Sequence, residues 1–262
     1  MTRSSPIASN VEIVRQRIRE SAVRSGRSET DITLVAVTKY ASTTDGTVVA
    51  LLAAGCRDLG ESRPQSLLEK AEYFAPHPNP LPQGEGTEVA LPRQERTEIR
   101  WHLIGSLQRN KVRKMLPLVS LIHSIDSVRL AEAIDRIAGE LSEETGTPIR
   151  PRCLLEVAIS DDVTKHGFAL DELPVVLDHL AAFQNISFCG LMGMGGLDAS
   201  DGTLRRQFAA LRCRAESLRD RGMPPNVSLT ELSMGMSGDF EIAVEEGATL
   251  VRIGSLLTRT CS

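Results

Sequence analysis

Short apolar runs alternate along the chain with longer stretches whose apolar residues recur at helical spacing. The run "ITLVAVTKYAS" at residues 32–42 is typical: Ile32, Leu34, Val35, Ala36 and Val37 make it almost continuously apolar before it ends in Lys39. Continuous rather than alternating hydrophobicity predicts a strand covered on both faces, as in a parallel sheet. Further short β-like strand candidates lie near 57–60, 99–104, 119–123, 152–159, 186–192, 228–233 and 249–253. Between them lie "TTDGTVVALLAAG", "SVRLAEAIDRIAGELS" and "LRRQFAALRCRAESLRDRG", which read as helices, and "NVEIVRQRIRESAVRSG" predicts an amphipathic opening helix. Eight strands alternating with helices predict an α/β protein, a single closed (β/α)8 TIM barrel spanning residues 1–262. An open doubly wound sheet is the alternative, but the first turn, "TKYAST", lacks the Gly-x-Gly-x-x-Gly of a dinucleotide fold.

The segment "FAPHPNPLPQGEGTEVALPRQERTE", residues 74–98, breaks this rhythm with proline, glycine and charge. Apolar anchors such as Phe74, Val89 and Leu91 are few, so a passive disordered insertion is expected in preference to a lid.

Composition narrows the function. A formal net charge of -4 gives no basic surface for nucleic acid, and small-molecule chemistry becomes the better expectation. The five cysteines are scattered without a Cys-x-x-Cys pair, which suggests neither a zinc site nor a disulfide framework. The opening residues lack a signal-peptide core, and no run reaches the about 18 apolar residues of a membrane span. A cytoplasmic protein is expected, with no membrane partner.

In a barrel of this type the chemistry collects at the C-terminal ends of the strands. Lys39 stands at the end of the first, with "GES" (60–62), "WHLIGSLQ" (101–108) and "HSID" (123–126) after the next three. The last three end in the small residues of "GLMGMGG", "LSMGMSGDF" and "VRIGS". Glycine permits close approach of backbone to a ligand, free N–H groups bind phosphate oxygens, and a helix beginning in "GDFEIAVEEG" would add its positive end. A phosphate there, facing Lys39 across the barrel mouth, is the arrangement that holds pyridoxal phosphate as a lysine Schiff base. The apolar strand beneath Lys39 would favour its neutral, nucleophilic amine. Bland readings compete: a solvated edge lysine, a capping turn at Ser237 or Asp239, a packed core histidine at His102. Arg252 lies between Val251 and Ile253 in a strand that should be buried, and an arginine there needs a partner.

Together, "LVAVTKY", "LGESRPQSLLEKAE", "IRWHLIGSLQRNKVRKML", "HSIDSVRLAEAI", "GLMGMGGL" and "LSMGMSGDFEIAVEEGATLVRIGS" resemble the pyridoxal phosphate homeostasis proteins, over about residues 10–258. The resemblance implies a fold-type III barrel like the N-terminal domain of alanine racemase. It implies binding of pyridoxal 5'-phosphate, a role in intracellular cofactor homeostasis without an established reaction, a monomer, and apo cofactor-dependent enzymes as partners. It makes Lys39 the Schiff-base lysine and Arg252 the partner of the ring nitrogen. It assigns the phosphate to Ser233, Gly235, Gly254 and Ser255, and the pocket lining to Met192 and Met234. An arginine beside the ring nitrogen would keep it unprotonated and the ring a weak electron sink.

The chain departs from the family pattern at Ser62, where asparagine is usual, at Ser106, where histidine is common, and in the 74–98 insertion. The rival function is an amino-acid racemase, which needs an acid or base on each face of its substrate. Lys39 could serve one face; of the two tyrosines, Tyr40 and Tyr73, neither has an evident route to the other.

Overall fold

The computed structural model describes residues 5–75, 98–160 and 166–259. The insertion expected at 74–98 therefore falls, over 76–97, outside the described residues.

The strands, in chain order, are β1 (Thr33–Val37), β2 (Asp58–Glu61), β3 (Arg100–Leu103), β4 (Val119–Ile125), β5 (Arg152–Ala158), β6 (Phe168–Ala169), β7 (Ser187–Gly193), β8 (Val227–Ser233) and β9 (Leu250–Ile253). Every pairing is parallel. Neighbours run β1-β2-β3-β4-β5-β7-β8-β9 and return to β1, so eight strands close the expected barrel. The two-residue β6, not foreseen from the pattern, pairs with the end of β5 beside the ring. The helices are α1 (Pro6–Arg24), α2 (Thr47–Ala53), α3 (Pro64–Phe74), α4 (Val112–Met115), α5 (Val128–Thr145), α6 (Leu173–Leu180), α7 (Asp201–Asp220), α8 (Phe240–Glu245) and α9 (Ser255–Thr258). Among the described residues, none is long and apolar enough to cross a membrane.

Local chemistry sets several boundaries. Pro6 and Pro64 occupy the first turns of α1 and α3, where a missing N–H costs nothing. The Ser127 and Ser200 hydroxyls cap α5 and α7 by accepting from Leu130 N and Thr203 N, and Gly146 ends α5 in the left-handed conformation.

Strand alternation divides the apolar residues into two layers. Val35, Leu121, Leu154, Cys189, Met192 and Leu250 pack together as an inner cluster, whereas Ala36, Leu59, Trp101, Leu103 and Ile253 join the helices in the outer one. Helix α1 crosses the seam of the barrel. Its Arg17 makes a 2.7 Å ion pair with Glu241 and lies 4.8 Å over the Phe240 ring, and Asn10 donates to the carbonyls of Leu257 and Arg259.

Gly235, just after β8, has φ +91, and a Cβ there would lie 2.5 Å from Ala243 Cβ and 2.9 Å from Phe240 Cα. Gly235→Ala should destabilise the fold by roughly 1–3 kcal/mol through strain and overpacking. Urea unfolding against a control such as Gly238→Ala, where the same Cβ meets nothing, measures this.

Candidate functional site

Lys39 sits two residues beyond β1, whose neighbour is β9. Their register pairs Val35 with Arg252 and Ala36 with Ile253, and Val37 lies against Gly254, 3.3 Å from where a Cβ would stand. Lys39 is thus beside the "RIGS" loop, not across the mouth from it. Its amine is also not desolvated on the apolar strand as expected. The chain leaves the sheet after Val37, Ala41 N donates to Thr38 O, and Lys39 is exposed with Nζ 4.8 Å over the Tyr40 ring.

A buried ion pair holds this turn. Lys70 Nζ, on α3, donates to Glu61 Oε2 at 2.5 Å and to Thr38 O, the carbonyl immediately before Lys39, at 2.6 Å. Glu61 Oε1 accepts from the backbone N–H groups of Ser62 and Arg63, at 2.7 and 3.2 Å. Arg63 in turn donates to Lys39 O at 3.0 Å. The sequence passed over Lys70; its spacing from Glu61 carried no signal of a shared partner.

Arg252 is 5% exposed, points from β9 into the barrel, and donates to Ser233 O, Ser233 Oγ and Gly193 O at 2.8, 2.6 and 3.2 Å. Burial lowers its pKa to about 10 against the opposing charges of Asp239 and Glu156. Behind it a line of polar side chains continues: Ser233 Oγ to His123 Nδ1 at 2.8 Å, His123 Nε2 to His102 Nδ1 at 2.9 Å, and His102 Nε2 to Asp58 Oδ1 at 3.0 Å. Arg100 grips both Asp58 oxygens at 2.7 and 2.6 Å. Burial raises Asp58, but hydrogen bonds from His102 and Arg100 outweigh it and hold the carboxyl at about 2. His123 lies well below the usual imidazole value, chiefly because of its burial and further through the electrostatic effect of its neighbours His102 and Arg252.

Ser233, expected at the phosphate, is fully buried, with its hydroxyl engaged between His123 and Arg252. Met234 turns outward into the outer cluster, whereas Met192 belongs to the inner one, because alternation gives β8 and its continuation one inward residue in two. Gly235 is buried, and its carbonyl accepts from Arg252 N at 2.9 Å. Gly254 and Ser255 do stand at the mouth. Gly254 N donates to Ser237 Oγ at 3.3 Å, which joins the loops after β8 and β9 and leaves the Ser237 proton free to donate. Asp239 caps α8 as anticipated only in position, its Oδ1 accepting from Met236 N at 2.5 Å. The resulting rim of Ser237, exposed Gly238, Gly254 and exposed Ser255 offers hydroxyls and, at Gly238, open backbone, groups whose chemistry suits a phosphate.

Glu156, inward on β5, is raised to about 7 by burial and the Asp126 charge, against His166 and Arg252. Ser62 borders the site through its N–H to Glu61, Ser106 is exposed, and Tyr73 packs edge-on to Phe74 at 5.0 Å. Cys56, Cys153, Cys189 and Cys213 are free thiols.

An eight-stranded parallel barrel with a lysine after its first strand and an inward arginine on its last defines a barrel of the alanine racemase N-terminal class, and the family model described as "Alanine racemase, N-terminal domain" matches residues 5–260. The chain is 36% identical over 226 residues to the pyridoxal phosphate homeostasis protein of Synechocystis sp., covering 86% of this chain and 90% of that protein. It is 32% identical to PipY of Synechococcus elongatus, solved with PLP bound, with a TM-score of 0.75 over 97% of this chain and all of the other. An alanine racemase from Clostridium difficile shares the fold at 15% identity, with a TM-score of 0.65 over 94% of this chain and 55% of that enzyme. The chain belongs to the pyridoxal phosphate homeostasis protein family.

Two measurements probe the site's construction. Lys70→Met leaves Glu61 buried without its partner and should cost roughly 3–5 kcal/mol in chemical unfolding. Glu156 keeps its proton in the fold up to about 7, while the unfolded chain loses it near 4.5. Its contribution to stability is therefore present below pH 4.5 and lost as pH rises to 7. Glu156→Gln should remove that loss, so the difference in stability between variant and wild type should grow in the variant's favour across this window in unfolding titrations.

Proposed function

We propose that the protein binds pyridoxal 5'-phosphate through Lys39 and serves as a carrier of the cofactor, keeping it held within the cell and passing it to apo enzymes that depend on it. The observation that supports this most is the β1–β9 register. It sets Lys39 beside Gly254 and Ser255, with Arg252 inward from them on the same strand pair. The relatives named for pyridoxal phosphate homeostasis, and PipY with PLP bound, support the same ligand.

The chain's own residues divide the work. Ser237, Ser255 and the backbone at Gly238 take the phosphate, with Gly254 holding Ser237 in place; Arg252 presents a fixed cation to the ring nitrogen; Met192 and Val35 give the ring an apolar floor. When bound, the cofactor supplies an aldehyde for a Schiff base with lysine and a ring able to withdraw electrons. Lys70, Thr38 and Arg63 hold the backbone on both sides of Lys39, so the amine moves on a fixed stem.

A carrier is favoured over a racemase by the tyrosines. Tyr40 is 88% exposed and Tyr73 packs on Phe74, so neither reaches the barrel interior to act on a second substrate face. The cytoplasmic, monomeric state belongs to the same reading.

Adding pyridoxal phosphate to the purified protein should produce a near-visible absorption band, and borohydride should fix the cofactor's mass on Lys39. Lys39→Ala should lose both while its circular dichroism stays native. Retention of the reduced adduct in this variant would move the anchor to another lysine.

A further inference from the structure

With both imidazoles neutral, donor chemistry gives the polar line through the barrel a direction. Asp58 is held ionised by Arg100, so its Oδ1 only accepts, and His102 Nε2 must carry a proton. A neutral His102 then has a bare Nδ1, which accepts from His123 Nε2–H at 2.9 Å. His123 is left with a bare Nδ1, so the contact to Ser233 Oγ at 2.8 Å is donated by the serine hydroxyl. With its own proton committed to His123, Ser233 Oγ turns its lone pairs to Arg252, which donates to it at 2.6 Å. Every proton in the line points away from Arg252 and towards Asp58.

The placement is as particular as the direction. Asp58 and Arg100 are the first residues of β2 and β3, at the N-terminal rim; Ser233 ends β8 and Arg252 lies near the end of β9. His102, His123 and Ser233 are 4%, 0% and 0% exposed, so water does not replace any link. A buried polar chain with one partner missing would be costly, and here each ring nitrogen and the hydroxyl has its partner. Other charges reach Arg252 only at a distance, Asp239 and Glu156 being the opposing ones. Its contacts are two carbonyls and one hydroxyl.

We propose that Asp58, His102, His123 and Ser233 form a one-way hydrogen-bond relay that fixes the donor pattern of Arg252, so that Asp58 and the two histidines are positioning residues for the cofactor ring from the far end of the barrel. The proposal rests on the reading that Arg252 faces the ring nitrogen. Reversing the relay would need His123 Nδ1–H to donate to Ser233 Oγ, leaving the hydroxyl to accept from two donors and its own proton to find another acceptor. For neutral imidazoles, ionised Asp58 forbids that reversal, because a bare His102 Nε2 would then face a carboxylate. A side-chain amide at position 58 would not, since it can present either an oxygen or an N–H.

The relay is tested first without cofactor. In long-range proton–nitrogen spectra of the ¹⁵N-labelled cofactor-free protein, assigned with His102→Gln and His123→Gln, both histidines should be neutral and protonated at Nε2. A protonated Nδ1 on either overturns the proposal, whatever the variants do. In Asp58→Asn, His123, which residue 58 does not touch, should shift towards a population protonated at Nδ1; unchanged His123 resonances in the folded variant overturn the relay. The second arm uses added pyridoxal phosphate and reads the near-visible band. Arg252→Gln and Asp58→Asn should both displace it at one fixed pH, with Asp58→Asn keeping cofactor affinity within about threefold because the phosphate rim is untouched. A shift with Arg252→Gln but none with Asp58→Asn sinks the relay and leaves the ring assignment standing. No shift with Arg252→Gln sinks the ring assignment and, with it, the relay's role towards the cofactor.

Discussion

The pairing of β1 with β9 is the constraint on which the rest depends. It joins the first strand to the last across more than two hundred residues, from Thr33 against Leu250 to Ala36 against Ile253, and so turns an open sheet into a barrel with an interior. A slip of one residue would turn every side chain of β1 to the wrong layer, moving Val35 out of the inner cluster and Ala36 into it. It would also separate Lys39 from Gly254. Helix α1 reinforces the seam from outside, where Asn10 and Arg17 tie the start of the chain to α8 and to the residues around α9. The geometry of the candidate site is a consequence of this closure.

Closure creates a second demand. The interior has an apolar part, built on Val35, Leu121, Leu154, Cys189, Met192 and Leu250, and a polar part that must satisfy itself without water. One carboxylate, two imidazoles, one hydroxyl and two guanidinium groups meet that demand in a single line. Its two ends are of different kinds: the Asp58 end is shared with a half-exposed arginine at the rim, and the Arg252 end is buried among carbonyls. The charge is therefore compensated at the bottom and left uncompensated by contact near the top. At the mouth, Lys70 and Glu61 solve a different problem in the outer layer, fixing the backbone before Lys39 with a buried pair.

Much of this could be read along the chain. Short β-like runs alternating with helical ones located all eight barrel strands within a residue or two, and the most continuously apolar of them carry the mark of strands covered on both faces. Lys39 and Arg252 stood out for one reason, a charge set against an apolar run. What stayed hidden depends on contacts between distant residues. His123 meets Ser233 across 110 positions and Asp58 meets His102 across 44, and nothing local to any of them announces the partner. Packing on Trp101 and alignment in a polar line look alike for His102 until β2, β3 and β4 are in register. Ser233 and Met234 were both placed at the pocket by their motif; alternation sends the first inward to the line and the second outward to the core.

The manner in which Arg252 is balanced bears on what the site can do. A carboxylate in direct contact would form a locally neutral pair and cancel much of the positive potential that a ring nitrogen would meet. Carbonyl and hydroxyl acceptors satisfy the guanidinium's hydrogen bonds without cancelling its charge, and the opposing carboxylates, Asp239 and Glu156, act on it without a hydrogen bond to it. On the proposed reading, the ring nitrogen then faces an intact cation in a site of low dielectric and stays unprotonated, because a second positive charge beside Arg252 would be strongly disfavoured. An unprotonated ring draws electrons weakly from whatever is attached at its aldehyde. On that reading the polar line would leave a bound cofactor electronically quiet, which is the behaviour a carrier requires and a racemase must overcome with further groups on the substrate's faces.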